Sequence, residues 1–209
     1  MDNLTEKSCV DFAEVLASKA SVPGGGGAAA LVGALGVARC SMVGNFTVGK
    51  KKYAAVEEDV KSMLAKAEAL RVRFLELVEA DAVAFEPLSR AYAIPKDDPK
   101  RNEILEKATL EACAAPIEMV KCCAEAVELL EEMHVKGSVM LLSDVGCGAL
   151  LCYAAMEAAA MNVFINTKSL QDRDLADKIE KDVDATLIEY LPRADIIAEA
   201  VMKNIRGRA

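Results

Sequence analysis

Along much of the chain, apolar residues recur at alternating steps of four and three. Val56, Val60, Met63, Ala67, Leu70, Phe74 and Leu77 follow this rule, which places them on one face of a long helix between Tyr53 and Leu88. A second run repeats it: Ile104, Ala108, Ala112, Ala115, Met119, Cys122, Ala126, Leu129 and Met133. Pro116 falls inside that run and predicts a local kink or interruption, because proline has no N–H to donate. Leu175 to Arg206 has the same amphipathic character, again with an internal proline, Pro192. Residues 2 to about 20 predict a first helix with Phe12, Val15 and Leu16 as its apolar contacts.

Two segments differ. Gly27 to Val48 carries a single charge, Arg39, and Ser138 to Asn166 carries only Asp144 and Glu157. Such segments predict helices buried nearly all round. Ala28, Ala29, Ala30, Gly33, Ala34, Gly36 and Ala38 would let neighbouring helices approach closely. Ile94 to Pro99 reads as a loop, Gly137 as a helix stop, and Gln171 to Asp174 as a turn or helix start. The expected fold class is all-α: one domain over residues 1–209, a bundle of two buried small-residue helices wrapped by long amphipathic ones. Both small-residue segments are long enough to span a bilayer. Their glycine and alanine content, their polar groups mid-segment and the lack of a strong basic flank asymmetry favour a bundle with no membrane.

Composition sharpens this picture. Hydrophobic residues make up 53% and aromatics 4%, with no Trp. Much of the apolar content is alanine, which loses no side-chain entropy in a helix. A net charge of -8 argues against nucleic acid as a partner, while a local basic cluster can still hold a small anion. Seven cysteines without a Cys-x-x-Cys pair, beside one histidine, read as reduced and mostly buried thiols in a cytoplasmic protein. They do not read as disulfides or a metal site. The polar start, Met1 to Ser8, is unlike a signal peptide.

Several residues could carry chemistry. Asp81 falls where the stripe Leu70, Phe74, Leu77 calls for a core residue. A carboxylate there is either a desolvated acid/base or a group at the stripe's edge that caps or pairs. Asp144 lies in one of the two nearly uncharged segments and is either a site residue or, with Ser143, a helix N-cap. Asn162 and Asn166 share a helix face. Asp144 and Asn162 share one as well, but five turns, about 27 Å, separate them. They could contact opposite ends of one long ligand, or different copies in an oligomer. Lys50, Lys51 and Lys52 form the densest basic run, which either offsets a helix dipole or receives an anionic tail. The run Pro23-Gly24-Gly25-Gly26-Gly27 opens a helix and is either an anion-binding N-terminus or a packing turn. It is neither a Walker A loop nor a dinucleotide fingerprint. His134, near a helix end, reads as a dipole-stabilised or surface residue.

Taken in order, these pieces resemble the cyclodeaminase/cyclohydrolase family. The resemblance rests on Ser21 to Ala30, Met42-Val43, Thr47 to Tyr53, Glu79 to Phe85, Ala93 to Lys96, Ser143-Asp144 and Asn162 to Asn166. It covers nearly the whole chain. The family commonly carries a hydroxyl residue at the position of Gly27, and Gly-Asn where this chain has Gly137-Ser138. The resemblance implies an all-α, usually dimeric enzyme that acts on a reduced folate. It implies no metal and no cofactor beyond the tetrahydrofolate substrate. It points to Asp81 and Asp144 as catalytic, and to Gly24, Gly25, Gly26, Lys50, Lys51, Ser143, Asn162 and Asn166 as substrate-binding. Two reactions fit: hydrolysis of 5,10-methenyltetrahydrofolate to 10-formyltetrahydrofolate, and ring closure of 5-formiminotetrahydrofolate with release of ammonia. Both need a carboxylate to move protons near a cationic carbon. A non-catalytic folate-binding or assembly subunit is the alternative of another class.

Overall fold

A computed structural model describes residues 3–207. They form six α-helices: α1 (Cys9–Leu16), α2 (Gly25–Asn45), α3 (Glu57–Tyr92), α4 (Arg101–Lys136), α5 (Leu142–Thr167) and α6 (Arg173–Ile205). Short 3-10 turns span Leu4–Glu6, Lys51–Val56 and Val139–Leu141. Among the described residues there is no strand, so the all-α expectation holds.

Local chemistry sets the helix ends. Ser8 and Asp172 cap α1 and α6 by accepting from the Asp11 and Leu175 amides. At the start of α3, Glu57, Glu58 and Asp59 place negative charge against the positive end of the helix dipole. The long helix therefore begins there, and Tyr53 to Val56 becomes a 3-10 turn instead. α1 is shorter than expected, and of its three anticipated contacts only Phe12 is buried while Leu16 is 41% exposed. Pro116 does not interrupt α4, which runs through it as one helix.

α3, α2, α5 and α6 form a row of neighbours, and α4 packs across one side of all four. The buried seam between α2 and α5 is made of small residues. A Cβ at Gly36 would lie 2.6 Å from Cys152 Sγ and 3.2 Å from the Gly148 carbonyl, and one at Gly148 would lie 3.1 Å from the Gly36 carbonyl. The two backbones thus touch reciprocally at Gly36 and Gly148.

The expectation that both small-residue helices are buried all round needs correction. Leu35 and Met42 on α2 and Phe46 just past its end are 52%, 37% and 54% exposed, and Leu150, Met161 and Ile165 on α5 are 50%, 63% and 64% exposed. The physical reason is the packing order. α4 covers one side of the row, and on the other side the described residues supply no covering helix. Small residues face inward and large apolar ones outward, the reverse of an ordinary amphipathic helix. Both segments are long and apolar enough to cross a membrane by length and composition.

Cys40, Cys113, Cys122, Cys123 and Cys152 are buried free thiols, while Cys9 and Cys147 are free and exposed. Burial pushes Cys40 and Cys152 up to about 12, which holds them protonated.

Candidate functional site

Residues from α2, α3, α4 and α5 converge on a cavity of about 230 Å³, lined by Gly24 to Gly26, Asp81, Phe85, Ala112, Pro116, Asn162 and Asn166 among others. Its head is the N-terminus of α2. Gly24 is the N-cap there and offers no side-chain cap, so the first-turn amides are free to face a side chain or a ligand. The Gly27 N–H donates to Asp81 Oδ2 at 2.9 Å. Such an approach requires glycine next door: a Cβ at Gly26 would sit 2.2 Å from Asp81 Oδ1.

Asp81 is half-buried on α3, one helical turn before Phe85. Burial pushes its carboxyl above the ordinary carboxylate range, and the Gly27 N–H opposes that shift in part. Desolvation wins. The result is a carboxyl that takes a proton more readily than a surface aspartate, at the wall of a cavity.

Asn162 and Asn166 form the opposite wall. Asn162 Nδ2 donates to the Ala158 carbonyl at 2.7 Å, and a Cβ at Gly25 would lie 3.3 Å from the Asn162 amide. Asn166 Nδ2 donates across to the Ala112 carbonyl at 3.2 Å. The structure thus brings together Gly24, Gly25, Gly26, Asp81, Asn162 and Asn166.

It does not bring Asp144, Ser143, Lys50 or Lys51 into that cavity. They lie toward the other end of the α2–α5 seam, where Asp144 stands about 27 Å from Asn162 along α5. Asp144 is not the N-cap of α5, a place taken by Leu141. Instead Arg39 Nη1 donates to Asp144 Oδ1 at 2.5 Å, tying α2 to α5. The side chain of Asp144 is 15% exposed. Beside this pair, the lysine turn packs on the start of α5. The Val139 N–H donates to Tyr53 Oη at 3.1 Å, and Lys52 Nζ stands 5.4 Å from the Tyr53 ring. That N–H is the main cause holding the Tyr53 phenol below its ordinary range. Ser143, Lys50 and Lys51 are exposed.

The two departures from the family pattern fall in different places. Gly27 acts through its backbone amide, which any residue would supply; a Cβ there would press on Pro23 at 3.3 Å. Ser138 is buried, with its N–H donated to Thr47 Oγ1 at 2.8 Å and its own hydroxyl unpartnered. Sequence reasoning missed Phe85, Ala112 and Pro116 as lining, and Arg39 as the partner of Asp144. Phe85 had a usable signal, four residues after Asp81, and Arg39 is the sole charge on its segment. Among the described residues, no group of His, Cys, Asp and Glu could hold a metal ion.

The formiminotransferase-cyclodeaminase family profile matches residues 8–185. The methenyltetrahydrofolate cyclohydrolase of Methylorubrum extorquens is 38% identical over 94% of this chain and 95% of its own length. The mouse formimidoyltransferase-cyclodeaminase is 27% identical over 93% of this chain, which spans 37% of that protein. The crystal structure of formiminotetrahydrofolate cyclodeaminase from Thermotoga maritima superposes with a TM-score of 0.83 at 28% identity, covering 95% of this chain and 99% of that one. A full-length relative, a matching solved fold and a profile across most of the sequence agree, and the chain belongs to the formiminotransferase-cyclodeaminase family.

Proposed function

We propose that this enzyme hydrolyses 5,10-methenyltetrahydrofolate to 10-formyltetrahydrofolate at the Asp81 cavity. The carrying observation is Asp81 itself, a desolvated carboxyl anchored by the Gly27 N–H and facing two asparagines. Water adds to the cationic carbon between the two ring nitrogens. Asp81 takes one water proton as the new C–O bond forms, then returns it to the nitrogen that leaves as the ring opens, while the carbinol O–H loses its proton to solvent as the formyl C=O forms. Its ionised form also stabilises the substrate cation. The full-length Methylorubrum relative favours this reaction. The step calls for no metal and no cofactor beyond the folate. Loss of methenyltetrahydrofolate absorbance well above the spontaneous rate tests it, and a protein that does not exceed that rate refutes it.

The second reading, cyclodeamination, has its support in the Thermotoga fold. Ammonia release from 5-formiminotetrahydrofolate without cyclohydrolase turnover would select it.

We infer further that the protein is a homodimer in the cytoplasm. Free thiols suit a reducing compartment. The uncovered face of Leu35, Met42, Leu150 and Met161 suits a second copy, because a large apolar patch on a soluble chain marks an interface. If the two copies pair antiparallel across this face, the Arg39–Asp144 end of one meets the Asp81 cavity of the other. Asp144 then acts as the second catalytic carboxylate in trans, and Ser143, Lys50 and Lys51 supply the hydroxyl and cations for the folate's glutamate tail.

A further inference from the structure

α4 contains a defect that the site uses. In a regular helix the carbonyl of Ala112 would accept from the N–H of residue 116. Residue 116 is proline, so that donor does not exist. Ala112 and Pro116 are both buried, and a buried carbonyl without a partner is costly. The missing donor is supplied by another helix: Asn166 Nδ2 on α5 reaches the Ala112 carbonyl at 3.2 Å.

This bond has a directional consequence. A carboxamide is planar and carries two N–H donors and one acceptor oxygen in fixed directions. With one Nδ2 hydrogen committed to Ala112, the Asn166 amide plane is held in one orientation at the cavity that it, Ala112 and Pro116 line together, where Oδ1 and the second N–H are the groups left for a ligand. Asn162 is fixed in the same sense, since its Nδ2 is held by the Ala158 carbonyl. We propose that Pro116 is a positioning residue: by freeing the Ala112 carbonyl it holds the Asn166 carboxamide in one orientation toward the cavity. The α5 wall of the cavity therefore presents a pre-set amide to a substrate edge that carries both donors and acceptors, such as an amide or aminopyrimidine. The inference rests on the folate reading of the cavity and adds what fixes Asn166 toward the ligand.

The test is a double-mutant cycle on the intact protein. Pro116→Ala restores the helical donor, so Ala112 bonds within α4 and Asn166 is released to rotate. The melting temperature should stay level or rise, KM for methenyltetrahydrofolate should rise about tenfold, as for one misdirected hydrogen bond, and kcat should stay within about twofold. Asn166→Asp removes the donor and sets a carboxylate against the Ala112 carbonyl. That variant should melt lower in the wild-type background and recover when combined with Pro116→Ala. An unchanged KM in Pro116→Ala, or purely additive melting shifts in the cycle, overturns the proposal. If Pro116→Ala does not fold, Asn166→Ala decides: the proposal requires its KM to rise at least several-fold with kcat little changed. Failure of the folate reading is separate, because the wild type itself would then show no turnover.

Discussion

The close approach of Asp81 to the α2 N-terminus allows a graded test with one methyl group. Gly26→Ala puts a Cβ 2.2 Å from Asp81 Oδ1, 2.6 Å from Cγ and 2.7 Å from Oδ2. An ordinary contact needs about 3.4 Å or more, so the carboxyl must retreat by roughly 1 Å. That retreat breaks the 2.9 Å bond from the Gly27 N–H. The lost bond costs about 1–3 kcal/mol, offset by up to ~1 kcal/mol from replacing glycine with alanine in a helix. The stability change is therefore modest. Activity is another matter, since misplacing a catalytic group by ~1 Å costs on the order of 100-fold in rate. Gly25→Ala meets only the Asn162 amide, at 3.3 Å, and Gly24→Ala meets nothing within 4 Å. The decay of methenyltetrahydrofolate absorbance should give kcat/KM in the order Gly24→Ala, then Gly25→Ala, then Gly26→Ala, the last about 100-fold down. Gly44→Ala, on the same helix but against Leu64 and Met133 side chains, is the control: it should lower the melting temperature and leave kcat/KM alone. A Gly26→Ala enzyme with wild-type kcat/KM and an intact fold refutes both the placement of Asp81 and its role.

Other outcomes are equally specific. Asp81→Asn should abolish turnover and stabilise the fold at neutral pH. The native Asp81 pKa is raised by burial, so wild-type stability falls as pH rises from the ordinary carboxylate value through the raised one. The melting-temperature gain of Asp81→Asn should therefore be greatest above that window and vanish in acid; a gain independent of pH contradicts the desolvation argument. Asp144→Asn alone should be inactive, and mixing it with Asp81→Asn under subunit exchange should restore activity, because one site per mixed dimer is then intact. No recovery after verified exchange removes the shared-site reading. Leu150→Glu with Leu35→Glu should give monomers by light scattering, and a dimer that survives both charges places the interface elsewhere.

The long helices were legible because their stripes need no partner to be recognised: Val60, Met63, Ala67, Phe74 and Leu77 are all buried, as their spacing predicts. Asp81 stood out by breaking that rhythm. The uncovered face of α2 and α5 was not legible, because a run without charges looks the same whether it faces a core or a partner. Only the outward position of Leu35 and Leu150, against the inward glycines, separates the two cases. The pairing of Arg39 with Asp144 joins residues 105 apart in sequence, and no local pattern encodes that. Likewise Pro116 was readable as a helix defect, while the group that repairs it lies on another helix and is visible only in three dimensions.

The contact between Gly36 and Gly148 acts as a pivot. α2 reaches from Gly36 to Gly25 over eleven residues, a lever of about 16 Å, so a tilt of only about 3–4° at the crossing displaces the cavity head by roughly 1 Å. Gly25 and Gly26 ride on one arm and Asn162 and Asn166 on the other, and the aperture between them is set at a distance by two hydrogen atoms in place of side chains. A residue that never meets the substrate thus fixes the angular tolerance of the site.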